Sequence, residues 1–181
     1  MRIYTKAGDD GTTGQFLGGR VSKADALIEA CGDIDEAVAA LGVARAGCPP
    51  ELAELLLDRQ RDLFVVAADL ATNPRHRDRL EPGISLVTPP MVARLELLID
   101  ALVADHPLRP VFVVPGTTAV SAAVDLARAV VRRAERKVVR AREAGHHVNP
   151  EVLEYLNRLS DLVFVLARQA AGPTGEPASH E

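Results

Sequence analysis

Apolar residues recur at helical spacing in five stretches of the chain, and no stretch alternates apolar and polar residues convincingly enough to predict a strand. The five stretches cover about residues 22–47, 51–72, 88–105, 118–144 and 149–171. The fifth has the clearest apolar stripe, formed by Leu156, Leu159, Val163 and Leu166. Because no internal repeat or domain linker interrupts the series, the pattern predicts an all-α fold: one five-helix bundle in a single domain.

Capping residues indicate where these helices begin and end. Ser22 followed by Asp25 resembles a capping box and predicts the start of the first helix. Thr88 and Asn149 each stand directly before a proline, an arrangement typical of a helix start. Gly145 is placed as the C-terminal stop of the fourth helix.

Four segments lie outside the predicted helices. Residues 1–20 form a glycine- and threonine-rich loop, and residues 73–87 form a polar connection long enough to be functional or mobile. Two prolines bracket Val and Phe residues in 109–118, which indicates an extended segment. Residues 172–181 are predicted to be a disordered tail.

Composition and charge limit the classes of function. The 181 residues are 48% hydrophobic but only 3% aromatic, so the core consists of Ala, Val and Leu, which suits close-packed helices. A net charge of −4 argues against general nucleic-acid binding. Cys31 and Cys48 have no metal-ligand spacing, and no signal peptide or membrane-spanning run is evident. We therefore expect a cytoplasmic protein.

The fourth predicted helix has a row of charged side chains. Its members, Arg128, Arg132, Glu135 and Arg136, fall within a sector of about 100°. Guanidinium groups in one row repel each other unless an anion lies against them, and their geometry suits phosphate oxygens. The alternative is a solvated face with Glu–Arg pairs, which we favour for Arg133 and other basic residues of this helix.

Two further polar residues lie next to apolar stripes. Asn157 follows a core leucine of the fifth helix, where its amide needs a ligand or an interhelical hydrogen bond. Asp35 is placed near the apolar sector of the first helix, whereas Glu36 points away. The inward positions that define this sector are Cys31, Ile34 and Val38. A carboxylate there requires a cation, for which the arginine row is one source, or else it faces water.

The opening loop combines several anion-binding features. They are provided by Thr5, Lys6, Gly8, Asp9, Gly11, Thr12, Thr13 and Gly14. Glycines allow backbone N–H groups to close around an anion, and a carboxylate can hold a cation. The spacing does not match a Walker A motif, and a flexible terminus would have a similar composition. No Glu-x-x-His pair lies on a predicted helix, so the sequence does not support a di-iron site.

Four motifs in order give the chain a recognisable pattern. They are "RIYTKAGDDGTTG", "RVSK", "RRAER" and "YLNRLSDLVFVLAR", and they extend from residue 2 to about residue 171. Together with "DRQRDLF" and "FVVPG", they resemble the PduO-type ATP:cob(I)alamin adenosyltransferases. The resemblance implies a five-helix bundle, usually a homotrimer with active sites between neighbouring subunits. It also implies transfer of the 5′-deoxyadenosyl group of ATP to the cobalt of cob(I)alamin, with release of triphosphate and assistance from Mg²⁺.

The resemblance also implies roles for individual residues. The loop residues named above would surround ATP, and Lys23 would contact a phosphate. Arg132, Glu135, Arg136 and Asn157 would complete the nucleotide site. Arg128 and Asp35 would pair across the subunit interface near the corrin ring. Phe112 would press on the lower face of the cobalt and displace its axial ligand.

Other functions and partners follow as expectations. A cobalamin chaperone on the same bundle would not need a triphosphate site, and a phosphoryl-transfer enzyme would release other products. The resemblance further implies a cob(II)alamin reductase and an adenosylcobalamin-dependent mutase or dehydratase as partners. The chain has "PGTT" and "DEAV" where the family commonly has a second glycine and "DELN". Both departures concern cobalamin binding or trimer packing rather than the phosphate contacts.

Overall fold

The computed structural model describes residues 3–173 and 177–178, and within them five α-helices form a bundle. The helices are α1 (Ala26–Ala46), α2 (Pro50–Ala71), α3 (Pro89–Asp105), α4 (Ala119–Glu143) and α5 (Pro150–Ala171). A 3₁₀ helix, Pro74–Arg79, lies in the connection after α2. The predicted all-α bundle is confirmed. One feature differs, because β1 (Thr12–Gly14) and β2 (Arg20–Ser22) form a small antiparallel hairpin inside the N-terminal loop.

The packing order of the helices gives the bundle two distinct ends. Helix α1 packs against α2 and α4, α4 packs against α5, and α5 also contacts α2 and α3. His146, just after α4, lies 3.3 Å from Asp25, just before α1, so these two helices are antiparallel. We call the end that holds residues 3–25 the loop end. The opposite end holds residues 106–117 and is called the Phe112 end.

Alanines let α1 and α4 approach closely. The buried stripe of α1 is Leu27, Ala30, Ile34, Ala37, Leu41 and Ala44, which advances by alternating steps of three and four residues. On α4, Ala127, Ala134 and Ala141 are fully buried at a spacing of seven. Short side chains on both helices reduce the distance between helix axes. The predicted stripe of α5 is buried throughout, as expected.

The starts of α3, α4 and α5 agree with the sequence prediction, and that of α1 differs. Thr88 directly precedes α3 as predicted, but its side chain makes no capping hydrogen bond. Asn149 caps α5, and Thr118 forms a capping box with Ser121 at the start of α4. Helix α1 begins later than predicted, because Asp25 rather than Ser22 caps it, with Asp25 Oδ1 accepting a hydrogen bond from Leu27 N at 2.8 Å. Ser22 belongs to β2, where pairing with Thr12 keeps its backbone extended.

A buried polar cluster joins α2 to α5. The hydroxyl of Tyr155 donates a hydrogen bond to Asp62 Oδ2 at 2.8 Å, and Arg59 pairs with the same oxygen at 3.2 Å. Burial, followed by the charge of Asp62, raises the pKa of Tyr155 well above its ordinary value. The phenol is therefore a hydrogen-bond donor at neutral pH. No helix in the described part of the chain has the length and apolar character needed to cross a membrane.

Cys31 is expected to react slowly with alkylating reagents. Both cysteines are free thiols, and burial raises the pKa of Cys31 to about 11. The thiolate is the reactive form, so at pH 8 only about one Cys31 in a thousand is reactive. Iodoacetamide labelling followed by mass spectrometry should show Cys31 reacting about a hundredfold more slowly than a free cysteine peptide. Equal rates would contradict the burial of this thiol.

Candidate functional site

The N-terminal loop is ordered by hydrogen bonds among its own residues. Asp10 Oδ1 accepts from Thr12 N at 2.9 Å and from Thr12 Oγ1 at 2.7 Å. These bonds lower the pKa of Asp10. Arg20 Nε donates to Thr12 Oγ1 at 2.9 Å, and its Nη2 donates to the carbonyl of Ala7. The loop is thus built around Arg20, a residue that sequence reasoning did not select.

Lys23 and Gly8 connect the two sides of this loop. Lys23 Nζ donates a hydrogen bond to Gly8 O at 2.8 Å. A Cβ at position 8 would lie 3.2 Å from both Lys23 Nζ and Thr12 O, so the close approach favours glycine. Lys6 has a positive φ of 61°, an uncommon conformation for a lysine, and its side chain is exposed. The loop therefore presents Lys6 to solvent beside a tightly turned backbone.

Four of the predicted nucleotide residues meet in a groove between α4 and α5. Arg132 Nη1 lies 3.4 Å from Ser160 Oγ, and Arg136 Nη1 donates to Arg132 O at 3.0 Å. Asn157 Nδ2 donates to Glu135 Oε1 at 3.2 Å, so the expected interhelical hydrogen bond is present. Both arginine side chains are exposed. The α4–α5 groove, formed by these five residues, presents two guanidinium groups to solvent.

Arg158 adds a further positive charge beside the groove. Its Nη1 donates to Asn157 Oδ1 at 2.8 Å, which orients the Asn157 amide toward Glu135. Its Nε pairs with Glu96 of α3 at 2.9 Å. Sequence reasoning missed Arg158, although its position directly after Asn157 in the motif "YLNRLSDLVFVLAR" could have indicated it.

Within the chain, Arg128 pairs with Asp125 rather than with Asp35. Arg128 Nε lies 3.3 Å from Asp125 Oδ1, and the other oxygen of Asp125 pairs with Arg168. The Arg168 guanidinium also lies over the ring of Phe164, 5.5 Å from its centroid. Asp125 is only 5% exposed, so its charge is compensated by two arginines.

Three acidic residues of α1 pair with α4: Glu29 pairs with Lys137 at 2.9 Å, and Asp33 and Glu36 both pair with Arg133. Asp33 Oδ1 accepts from Arg133 Nε at 2.7 Å, and Glu36 pairs with the same guanidinium. The expectation that Glu36 points away was therefore wrong, and Arg133 forms pairs between helices rather than along its own helix. The cause is the step of the α1 stripe, which places Asp33 rather than Asp35 at its edge. Asp35 is exposed, without a hydrogen bond or ion pair among residues 3–173 and 177–178.

Phe112 lies at the other end of the bundle on an exposed loop. Its relative exposure is 88%, the second highest among the exposed large apolar side chains of the described residues. A cavity of about 420 Å³ adjoins this loop, and its lining includes Val111, Val113, Phe164 and Arg168. In the predicted disordered tail, residues 174–176 and 179–181 lie outside the described residues. Ala178 N bonds to Phe112 O at 2.9 Å, so this part of the tail lies against the loop.

The predicted site residues thus fall into three groups on one chain. Arg132 lies about three helical turns before Glu143, so it is about 16 Å along α4 from the loop end. Within the described residues, no hydrogen bond or ion pair joins the loop residues 5–14 or Lys23 to the α4–α5 groove. Phe112 belongs to the opposite end. A single chain therefore does not bring the three groups together.

The fold and these groups define a class of protein: a helical bundle with a glycine-rich N-terminal loop and an arginine-lined groove. A family model described as cobalamin adenosyltransferase matches residues 3–170. The corrinoid adenosyltransferase of Mycobacterium tuberculosis is 44% identical over 183 residues, which cover 97% of this chain and 91% of that protein. That of Bacillus subtilis is 38% identical, over 97% of this chain and 89% of the relative.

Solved structures give the same result. A PduO-type ATP:corrinoid adenosyltransferase from Lactobacillus reuteri, a phenylalanine-to-alanine variant complexed with cobalamin and ATP, superposes with a TM-score of 0.87. It is 30% identical and matches over 99% of this chain and 100% of that chain. The chain belongs to the cobalamin adenosyltransferase family, and it is accordingly a transferase enzyme that acts on a corrinoid.

Proposed function

We propose that the chain transfers the 5′-deoxyadenosyl group of ATP to the cobalt of cob(I)alamin, giving adenosylcobalamin and triphosphate. The observation on which the proposal depends is the α4–α5 groove, where Arg132 and Arg136 expose two guanidinium groups beside Asn157 and Glu135. Paired guanidinium groups suit the oxygens of a polyphosphate. The Lactobacillus reuteri relative, which was solved with both ATP and cobalamin, supports the same assignment.

The reaction needs positioning and positive charge more than a base. The electron pair of Co(I) forms a bond to C5′ of ATP, and the C5′–O bond breaks with its pair going to triphosphate. Charge develops on the departing oxygen, where preorganised cations stabilise the transition state. Arg132, Arg136 and Lys6 are the groups that we assign to this task. No proton is taken from the nucleophile, so the reaction requires no histidine.

We propose that the complete site forms between copies of the chain in a homotrimer. The 16 Å that separate Arg132 from the loop end support this, since one chain alone leaves the loop residues 5–14 away from the groove. The exposed carboxylate of Asp35 is available to a neighbouring chain. Arg128 uses Nε for Asp125, which leaves its terminal nitrogens for Asp35 of that neighbour.

The Phe112 end suits the corrinoid. An aromatic ring that is 88% exposed is costly in water but would be covered by a flat apolar macrocycle. We assign Phe112 to the lower face of the cobalt, where it would exclude the axial ligand and water. The cavity between Val111, Val113 and Phe164 extends this apolar surface. Loss of the lower ligand favours reduction of the cobalt to Co(I), the state that reacts.

Mg²⁺ fits the groove as a partner of the phosphates. Among the described residues no group of three or more His, Cys, Asp or Glu could hold a metal ion. Mg²⁺ bound to a nucleotide takes most of its ligands from phosphate and water, with only one or two carboxylates from protein. Glu135 fits this requirement, because Asn157 binds only its Oε1. Asp9 of the loop is a second exposed carboxylate.

One assay tests the proposed function against both alternatives. The protein is incubated with ATP, Mg²⁺ and chemically reduced cobalamin, and the products are separated. We expect adenosylcobalamin and triphosphate in equal amounts, with loss of both when EDTA removes Mg²⁺. Binding without a new Co–C bond would indicate a chaperone. ADP, or AMP with diphosphate, would indicate phosphoryl transfer.

Further partners and the compartment complete the proposal. A cob(II)alamin reductase would supply Co(I), and an adenosylcobalamin-dependent mutase or dehydratase would use the product. The two free thiols are consistent with a reducing cytoplasm. Co-purification of the chain with a cob(II)alamin reductase from the same cell would support the reductase as a partner.

A further inference from the structure

The turn between β1 and β2 is attached to the end of α2. Phe16 N donates to Ala71 O at 2.9 Å, and Asn73 N donates to Phe16 O at 3.0 Å. These two bonds form a short parallel bridge between Phe16 and Thr72. The hairpin that contains Thr12, Thr13 and Gly14 therefore has a fixed point on the bundle, at the base of residues 15–19.

The side chain of Asn73 adds a third hydrogen bond between the end of α2 and the β1–β2 turn. Its Nδ2 donates to Gly18 O at 3.0 Å, while its Oδ1 accepts from Arg75 N at 3.0 Å and caps the 3₁₀ helix. A Cβ at Gly19 would lie 2.8 Å from Asn73 Nδ2, closer than real contacts allow. Asn73 therefore provides the amide donor, and Gly19, which has no side chain, leaves the space that this amide occupies.

The support beneath Asn73 is rigid. Thr72 is buried, and its Oγ1 donates to Ala68 O at 2.6 Å. One turn earlier, the buried Asp69 pairs with Arg77 of the 3₁₀ helix at 2.6 Å. Asn73 therefore lies between two segments that the core already holds in place. The hairpin moves only if its bonds to this support break.

We propose that Asn73 is a positioning residue for ATP: its amide holds the β1–β2 turn on α2 and so orders the N-terminal loop before the nucleotide binds. This inference depends on the proposed function, in which loop residues 5–14 contact ATP. A loop that is already ordered loses less conformational entropy on binding. The side-chain nitrogen and oxygen of Asn73 are bonded to Gly18 O and Arg75 N, so the role that we assign to Asn73 acts through the loop and not through contact with ATP.

Two substitutions of Asn73 distinguish the effects of its two side-chain hydrogen bonds, to Gly18 O and from Arg75 N. Asn73→Asp keeps an oxygen that caps the 3₁₀ helix but removes the donor to Gly18 O, whereas Asn73→Ala removes both. If the donor positions the loop, both variants should raise the KM for ATP about tenfold, the ratio expected for one lost hydrogen bond. The kcat at saturating ATP and the KM for the corrinoid should remain within about twofold. Wild-type KM for ATP in Asn73→Asp would overturn the proposal.

Hydrogen exchange of the enzyme without nucleotide provides a second readout. Amides of residues 12–22 should exchange faster in both Asn73 variants than in the wild type, whereas amides of α5 should not change. Unchanged protection of residues 12–22 would overturn the proposal even if the KM rose. The wild-type assay for the Co–C bond tests the proposed function separately, so the two failures can be distinguished.

Gly18 and Gly19 provide a matched pair of variants. Both have positive φ, 99° and 95°, so alanine costs similar backbone strain at either position. A Cβ at Gly19 would lie 2.8 Å from Asn73 Nδ2 and 3.1 Å from Gln15 Oε1, whereas nothing lies within 4 Å of a Cβ at Gly18. We expect Gly19→Ala to raise the KM for ATP severalfold more than Gly18→Ala. Equal effects would show that strain alone is responsible and would contradict the role of the amide.

Discussion

Replacing Arg132 by alanine is expected to lower kcat by about 10²- to 10³-fold, the usual cost of removing one preorganised group that stabilises developing charge. Arg132 is exposed in the α4–α5 groove, and the only hydrogen bond of its side chain among the described residues is the 3.4 Å approach to Ser160. The backbone hydrogen bonds of α4 do not depend on the Arg132 side chain. The melting temperature should therefore remain within about a degree of the wild type.

The control for this variant comes from the same helix. Arg140 is an exposed arginine two turns further along α4 and outside the groove, so Arg140→Ala changes the net charge equally. It should retain nearly full kcat. Arg132→Lys keeps the charge but loses the planar fork, and an intermediate rate is expected. Steady-state kinetics with both substrates saturating would measure all three variants, and near-normal turnover of Arg132→Ala would refute the role that we assign.

The sequence predicted the fold well where one physical signal acts alone. The stripe of α5 is determined by apolar periodicity and the start of α5 by the local cap Asn149, so both predictions were confirmed. The first helix was less predictable, because small alanines rather than Cys31 and Val38 form its buried stripe. Alanine contributes little to a hydrophobic pattern but allows close packing. That shift places Asp33, rather than Asp35, beside Arg133 of α4.

The site was predicted in composition but not in arrangement. Motif order indicated the residues of the α4–α5 groove, and the structure brings Arg132, Arg136, Glu135 and Asn157 together there. Arg20 was missed because its partners, Thr12 Oγ1, the Asp10 carboxylate and the Ala7 carbonyl, are brought to it by the hairpin and leave no periodic pattern in the sequence. The distance between the loop and the groove could not be predicted from the sequence either, since it depends on where the helix ends lie in the folded chain.

Asp69→Ala is expected to cause the largest loss of stability among the variants considered. Asp69 is completely buried and accepts hydrogen bonds from Arg77, from Val87 N at 2.9 Å and from Asn149 Nδ2 at 2.8 Å. One carboxylate thereby joins the end of α2 to the 3₁₀ helix, to the start of α3 and to the cap of α5. Its removal takes the acceptor from the buried Val87 N, leaves the Arg77 cation without its counter-charge and leaves Asn149 Nδ2 with Val87 O alone. This loss costs about 3–5 kcal/mol.

The measurement is thermal or urea unfolding at one fixed protein concentration, because association would make the melting temperature depend on concentration. For a chain of this size we expect a decrease of roughly 6 to 20 °C. Asp58→Ala is the matched control, since Asp58 is on the same helix but half exposed, with an ion pair to Arg61 at 3.1 Å. Such exposed pairs contribute at most about 1 kcal/mol. If the two variants lost equal stability, the buried carboxylate could not be what holds the loop end together, and the rigid support inferred beneath Asn73 would lose its basis.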